Sequence, residues 1–390
     1  MRVCFVADVG TKISGGHQSL LNLMTDLKKY GVEPYLGCHK DWELVKKVRE
    51  MGIPTKVVPG KIYTANKDKI TPAHYLKYPL KRLYNFVHLS EIKKYLTENK
   101  IELVHLNSVL SSEAWARAAY ECNIPYVWHI REFMEQDHGR IIINSSYSYK
   151  WLKKAKNIIT ISKAVQAHWE KVLGRHCDVV YNGLPFEKYG GNTAEKFKSN
   201  EIRCVIVGRI TEGKGQMDAV RAVEYMKSKG IDNISLTLVG YRDLTDYEKQ
   251  TAKYIEDNGL SNQIKLVDFT YDLSGIRKQH DIGITSSNAE AFGRVTIENM
   301  MSGMLAVGTD SGGTPELIEN GETGFLYKPG DYRALADILT EAVRNPEKMG
   351  AIAAKGQEDA KKRFLIERTV ASVYEIYCNV LGVDNKERQS

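Results

Sequence analysis

No stretch of this chain holds the ~20 consecutive apolar residues that a bilayer-crossing helix needs. Behind the strand-like opening Met1–Ala7 there is no longer apolar core and no small-residue cleavage site, so the protein is expected to stay in the cytoplasm. Cysteine is sparse and scattered. Cys4, Cys38, Cys122, Cys177, Cys204 and Cys378 form no CxxC pair, and several sit in apolar runs where a thiol acts as a small hydrophobe; they are expected to be reduced and structural. There is no D-x-D, no H-E-x-x-H and no Cys/His cluster, hence no visible ligand set for a catalytic metal, and neither metal nor cofactor is expected. The glycine fingerprint G-x-G-x-x-G is missing, which argues against a nicotinamide-dependent dehydrogenase. Charge is only slightly one-sided: +7 is modest for 390 residues and favours anionic ligands without choosing nucleic acid, anionic lipid or a phosphorylated substrate.

What is present is a globular composition, 43% hydrophobic and 26% charged. The length exceeds the ~100–200 residues that one core ordinarily serves, so two domains are expected. Short β-branched runs alternate with helical patterns, as parallel sheets with crossover helices require. In the first half strands are expected at Val3–Ala7, Pro34–Gly37, Thr55–Val58, Leu103–Asn107, Pro125–Trp128, Asn157–Ile161 and Val179–Tyr181, with helices such as His17–Lys29 and Glu113–Cys122 between them. The chain turns polar near Leu184–Asn200, and strands resume at Ile202–Val207, Ser235–Val239, Ile264–Val267, Ile282–Thr285 and Leu305–Gly308. A helix from about Asp331 and another over Phe364–Val380 complete the pattern. The expected division is residues 1–185, 186–362 and a terminal helix in 363–390. Ligands of such sheets bind beyond the carboxyl ends of the strands.

The sharpest local signal is Gly208-Arg209-Ile210-Thr211-Glu212-Gly213-Lys214-Gly215, three glycines and two cations following an apolar strand. Glycines let the backbone approach phosphate oxygens, an Arg fork binds two of them, and Lys adds a point charge. The segment nearly matches a Walker A loop, but Gly215 stands where Ser or Thr must bind magnesium, which excludes a P-loop NTPase. Alone, the loop reads as ordinary solvated charge. A second signal is Glu290-Ala291-Phe292-Gly293-Arg294-Val295-Thr296-Ile297-Glu298. A helix starting near Arg294 would aim its first N–H groups at an anion, with Val295 and Thr296 binding phosphate through backbone. Glu298 would accept ribose hydroxyls and Glu290 would reach sugar hydroxyls, although a glutamate early in a helix is also a common stabilising feature. Ser311–Glu316, with Gly312-Gly313 and Pro315, reads as the capped start of a new helix. Gly15-Gly16 before the first helix offers further amides to an anion. His129 stands at a strand's carboxyl end, where a ligand contact and a buried structural role are equally open.

Lys61–Lys94 is rich in Lys, Tyr and His, with Leu76, Leu80, Leu83 and Val87 on one helical face beside Lys77, Lys81 and His88. Such a stretch would suit anionic lipid or an acceptor. The preferred reading is a crossover helix packed on the sheet with a solvated basic side, interrupted by Pro79.

Taken in order, Gly15-Gly16, His129, Gly208–Gly215, Glu290 to Glu298 and Gly312–Glu316 resemble glycosyltransferase family four over nearly the whole chain. The resemblance implies the GT-B fold, an α/β architecture of two Rossmann-like doubly wound domains facing an interdomain cleft, with the nucleotide sugar on the C-terminal side and the acceptor on the N-terminal side. It implies that Arg209 and Lys214 bind the diphosphate, Glu298 the ribose, and Glu290 and His129 lie close to the transferred sugar. Gly208, Phe292, Gly293, Arg294, Val295 and Thr296 match the surrounding donor loops, Gly15 and Gly16 the loop approaching donor phosphate, and Tyr241 and Phe269 the positions for base contact. The implied activity is a retaining, metal-independent hexosyl transfer in cell-surface polysaccharide synthesis, from UDP-hexose first or GDP-mannose second. The implied partners are a nucleotide-diphosphate sugar and a saccharide or lipid-linked saccharide acceptor, with no nucleic acid; contact with the inner face of the cell membrane stays open. Lys61–Lys81 and Phe133–Tyr149, which would shape the acceptor, match no specific motif. The alternative is a non-catalytic nucleotide-sugar-binding subunit of a transferase complex.

Overall fold

The computed structural model describes residues 1–8, 10, 12–110, 113–240, 245–270 and 272–384. The chain divides into two compact units, Met1–Gly183 together with the chain from Ile366 onward, and Leu184–Leu365.

In the first unit the described strands are β1 (Arg2–Val6), β2 (Glu33–Cys38), β3 (Thr55–Val57), β4 (Thr64–Asn66), β5 (Leu103–Leu106), β6 (Tyr126–Ile130), β7 (Arg140–Ile142), β8 (Asn157–Thr160) and β9 (Asp178–Val179). Seven form one parallel sheet in the order β3-β2-β1-β5-β6-β8-β9, and β4 pairs antiparallel with β7 beside it. Strands covered on both faces read as continuous apolar runs, which is why Val3–Val6 and Leu103–Leu106 are buried at every residue. Helix Gly15–Asp26 opens on a capping box, Ser14 accepting from the His17 N–H and His17 bonding back, and buries Leu20, Leu23 and Met24 on the sheet. Helix Ile366–Leu381 packs on the same core through Ile366, Val370, Val373, Tyr374 and Tyr377, an i, i+4, i+7 stripe. Its Tyr377 hydroxyl lies 2.6 Å from His105 Nδ1 inside that core.

The second unit carries β10 (Ile202–Val207), β11 (Ile234–Val239), β12 (Ile264–Val267), β13 (Ile282–Thr285), β14 (Leu305–Thr309) and β15 (Phe325–Tyr327), all parallel, in the order β12-β11-β10-β13-β14-β15. Fully buried Val220, Val223, Leu335 and Leu339 clamp helices Gln216–Ser228 and Tyr332–Arg344 onto one face. Each such side chain contributes ~1.5–3 kcal/mol of burial. Asp281, fully buried, takes two hydrogen bonds from the Arg203 guanidinium at 2.9 and 3.0 Å and pins the start of β13 to β10.

Three expectations are corrected here. The segment after β14 makes a single 3-10 turn, Thr314–Glu316, and not a helix. The tail holds three helices, not two, because Pro346 opens a new one, Pro346–Arg363, at its first turn. The residues Leu76, Leu80, Leu83 and Val87, read as the packed face of a crossover helix, are 76%, 67%, 60% and 58% exposed, and Pro79 occupies the first turn of helix Tyr78–Val87. No helix of the described residues is long and apolar enough to cross a membrane.

Candidate functional site

In the second sheet the strand order reverses at β10, so the loops leaving the carboxyl ends of β10 and β13 border the crevice where such sheets bind ligands. These loops are 208–215 and 286–293, and they interlock. The Asn288 N–H donates to Gly213 O at 3.0 Å, and Ser286 Oγ donates to Lys214 O at 2.8 Å. Gly215 has φ 62°, and a Cβ there would stand 2.0 Å from Ser286 O, so both backbone conformation and contact demand glycine.

The interlock brings the two sharpest motifs together. Lys214 Nζ donates to Glu290 Oε2 at 2.8 Å, and Ser287 Oγ donates to the same oxygen at 3.0 Å. Burial pushes the Glu290 carboxyl up, but the charge and hydrogen bond of Lys214, with help from Ser287 and the Gly293 N–H, outweigh it and hold the group below the ordinary carboxylate range. The Lys214 side chain is 39% exposed. An ammonium has three donors, so the bond to Glu290 leaves two for a ligand. Arg209, at the mouth of the same loop, is exposed, and its guanidinium has no ion pair or hydrogen bond among the described residues; its carbonyl is anchored by Gln216 Nε2 at 2.8 Å. One oriented cation and one exposed cation thus flank the crevice.

Helix Arg294–Met301 starts beside them, with Gly293 at its N-cap. Thr296 is buried, its N–H bonded to Gly293 O at 2.9 Å and its hydroxyl to Thr285 Oγ1 at 2.9 Å, whereas Val295 is half-buried. Phe292 is 2% exposed and packs edge-on against Phe364, 6.3 Å between centroids, so its ring braces the loop from beneath. Gly312 and Gly313 pass directly under that loop: the Gly313 N–H donates to Glu290 O at 2.7 Å, and a Cβ on Gly312 (φ 58°) would lie 2.1 Å from the same oxygen. These glycines support the Glu290 loop, a role that the expected helix cap does not describe.

Glu298 is not an open acceptor. Arg277 Nη2 donates to Oε2, Arg294 Nε donates to Oε1 at 2.8 Å, and Arg294 Nη2 reaches the Tyr189 hydroxyl at 2.7 Å. The Glu298 and Arg277 side chains are 8% and 4% exposed, so this is a buried cluster with two guanidinia on one carboxylate. Each oxygen retains a further lone pair for a ribose hydroxyl. Arg277 lies outside the E-x7-E spacing and carries no signal in the sequence. Phe269, after β12, is 40% exposed, and Gly208 directly follows β10; Tyr241 lies outside the described residues.

In the first unit Gly15 opens helix Gly15–Asp26 and is exposed, with Gly16 half-buried beside it. His129, expected next to the sugar, lies near the carboxyl end of β6 in the interior of the first unit. It is 0% exposed, its ring centroid lies 5.3 Å from that of His105, and burial, then Arg131 and His105, lower its pKa well below the usual histidine range. The imidazole is neutral and shut off from solvent. Arg131, two residues on and therefore on the same face, reaches the sheet edge instead. Its Nε donates to Asn107 Oδ1 at 2.8 Å and its Nη1 to Asn182 Oδ1 at 2.6 Å, and its Cδ is 3.6 Å from where a Cβ on Gly16 would stand.

Comparison with known proteins finds two family models, curated relatives and solved structures. The family model described as Glycosyl transferases group 1 matches residues 192–359, and that described as Glycosyltransferase Family 4 matches residues 13–188. EpsD of Bacillus subtilis (strain 168), which bears a glycosyltransferase's name, is 28% identical over 204 residues, 52% of each chain. The amylovoran biosynthesis glycosyltransferase AmsK of Erwinia amylovora is 32% identical over 176 residues, 40% of this chain and 42% of that one. The matched stretch spans about half the length of the first such relatives. Among solved structures, Anabaena Alr3699/HepE in complex with UDP and glucose superposes with a TM-score of 0.78 at 22% identity, covering 97% of this chain and 99% of that one, a likeness of fold.

Proposed function

The chain belongs to the glycosyltransferases that these two family models describe, and from that premise we propose that it is a retaining, metal-independent hexosyltransferase. The donor is a nucleoside-diphosphate sugar, UDP-hexose before GDP-mannose. The acceptor is a saccharide or lipid-linked saccharide in cell-surface polysaccharide synthesis. The α/β GT-B fold and the family are common ground with the relatives; donor, stereochemistry and acceptor are this proposal's own content. Relatives named for amylovoran and capsular polysaccharide biosynthesis support the pathway class, and the UDP and UDP-glucose complexes of HepE support the nucleotide.

The observation that carries the reading is the Lys214–Glu290 contact, which joins loops 76 residues apart in the chain and leaves Arg209 exposed beside them. When the bond between the sugar's anomeric carbon and the diphosphate breaks, negative charge collects on the departing oxygen. Arg209, the two remaining Lys214 donors and the Val295 end of helix Arg294–Met301 supply positive potential there without reorganisation. Glu290 acts first by holding Lys214, and its ionised form is the one that does so. Departure of the diphosphate on the face that the acceptor approaches gives retention, with a phosphate oxygen taking the acceptor's proton.

The test is a thermal-shift screen of nucleotide sugars followed by assay of nucleoside-diphosphate release. A ligand at 100 times its Kd stabilises the fold by about 2.7 kcal/mol. Stabilisation by a UDP sugar with release of UDP is expected. Stabilisation without release over a panel of acceptors would favour the binding-subunit reading, and no stabilisation by any nucleotide sugar would overturn both.

A further inference from the structure

The first unit carries a surface whose construction the transferase reading does not use. Of nine large hydrophobic side chains exposed among the described residues, seven fall between Tyr75 and Val87. They lie on helices Pro72–Leu76 and Tyr78–Val87, joined at Lys77, and Leu76, Leu80, Leu83 and Val87 share one stripe. An amphipathic helix ordinarily turns its aliphatic stripe to the core. This one is mounted the other way. Tyr78 and Asn85 are the buried residues; Asn85 Nδ2 donates to the Tyr63 hydroxyl at 2.9 Å and to Lys61 O at 3.0 Å, while its Oδ1 accepts from the Lys61 N–H at 2.8 Å. Arg82 stacks on the Tyr147 ring at 3.9 Å. The polar and aromatic side anchors the helix, and the leucines face outward with nothing in the fold requiring them there.

Charge surrounds the stripe. Residues 61–94 hold eight lysines and arginines against two carboxylates; Lys67, Lys93 and Lys94 pair with Glu135, Glu121 and Glu98 from outside the segment, which still leaves a local excess of about +3, with Lys77 and Arg82 exposed on the helical stretch itself. Lys81 shows how closely they crowd: burial, then Lys61, Arg140 and Lys77, lower its pKa. A contiguous apolar patch rimmed by cations matches a surface that offers apolar depth beneath anionic groups.

We propose that the outward face of residues 75–87 docks on an anionic lipid bilayer, the leucines entering the acyl boundary and the flanking lysines meeting headgroup phosphates. The interaction is peripheral and independent of the donor site in the second unit.

The experiment is co-sedimentation of the full chain with vesicles of phosphatidylcholine alone and of phosphatidylcholine with phosphatidylglycerol. Binding to the mixed vesicles, weakened by salt and absent from the neutral ones, is expected. The double variant Leu80→Glu/Leu83→Glu should lose at least about tenfold in partitioning with thermal stability retained, since both side chains are solvent-facing. Lys77→Glu should weaken binding to the anionic vesicles with the leucines intact. Failure of the chain to bind phosphatidylglycerol vesicles would overturn the proposal. So would equal binding by the leucine variant, or a concentration-dependent dimer in light scattering that the same substitutions abolish, because the face would then belong to a second copy.

Discussion

Removing the Lys214 ammonium separates catalysis from folding. The side chain is 39% exposed and, among the described residues, its one bond is the 2.8 Å contact to Glu290, which is itself mostly buried and keeps Ser287 as a donor, so Lys214→Ala should cost about 1–3 kcal/mol and leave the fold intact. The catalytic cost is larger, because a preorganised donor to developing charge is worth about 10²–10³ in kcat, or ~3–4 kcal/mol. A second effect follows at Glu290. Burial is the largest influence on that carboxyl and pushes it up; Lys214 is the main opposing one. Without the lysine the carboxyl must rise, and residual activity should acquire an acid limb at higher pH than in the parent. The assay is nucleoside-diphosphate release at saturating donor between pH 5 and 8, beside a denaturant melt. Lys214→Arg should recover part of the rate by restoring charge. A folded Lys214→Ala protein with kcat within about threefold of the parent would refute the reasoning.

Gly215→Ala should destabilise the second unit by ~2 kcal/mol or more, since a left-handed residue gains a Cβ 2.0 Å from Ser286 O; urea melts read it. Glu298→Ala strands Arg277 and Arg294 in a nearly buried setting and should cost about 3–5 kcal/mol in the same melts, so lost nucleotide affinity in that variant does not report a ribose contact. The contact is tested on the unaltered chain instead: 2′,3′-dideoxy-UDP should bind about 10–100-fold more weakly than UDP by calorimetry if Glu298 accepts the ribose hydroxyls. In the first unit, burial pushes the Glu113 carboxyl up to about 8, against Ser148 and the nearby Arg82 and Arg117. A raised carboxyl favours the fold below the unfolded value and loses that contribution as pH rises through 8. Glu113→Gln should therefore raise the melting temperature at pH 9 relative to the parent and change little near pH 5.

The alternation of β-branched runs with helical patterns is written locally, and β10, β12 and β13 begin and end where those runs do. The three-residue strands β15, β4 and β7 are too short to show a period and emerge only from their pairing partners. At the site, spacing within each motif was legible but contacts between motifs were not. Nothing in the residues around Gly213 announces Glu290, and nothing in E-x7-E announces Arg277. For His129 a strand in a sheet covered on both faces buries either side, so its place near a carboxyl end did not say how far the ring is enclosed. The stripe Leu76–Val87 misled: its periodicity was read correctly, but period alone does not tell which way a helix is mounted.

The claim that one oriented and one exposed cation receive a diphosphate is most directly tested by a crystal structure of the chain with UDP. The account predicts diphosphate oxygens within ~3 Å of the Arg209 guanidinium and Lys214 Nζ, with the Lys214–Glu290 bond kept. A nucleotide bound elsewhere, with both side chains left in solvent, would contradict it.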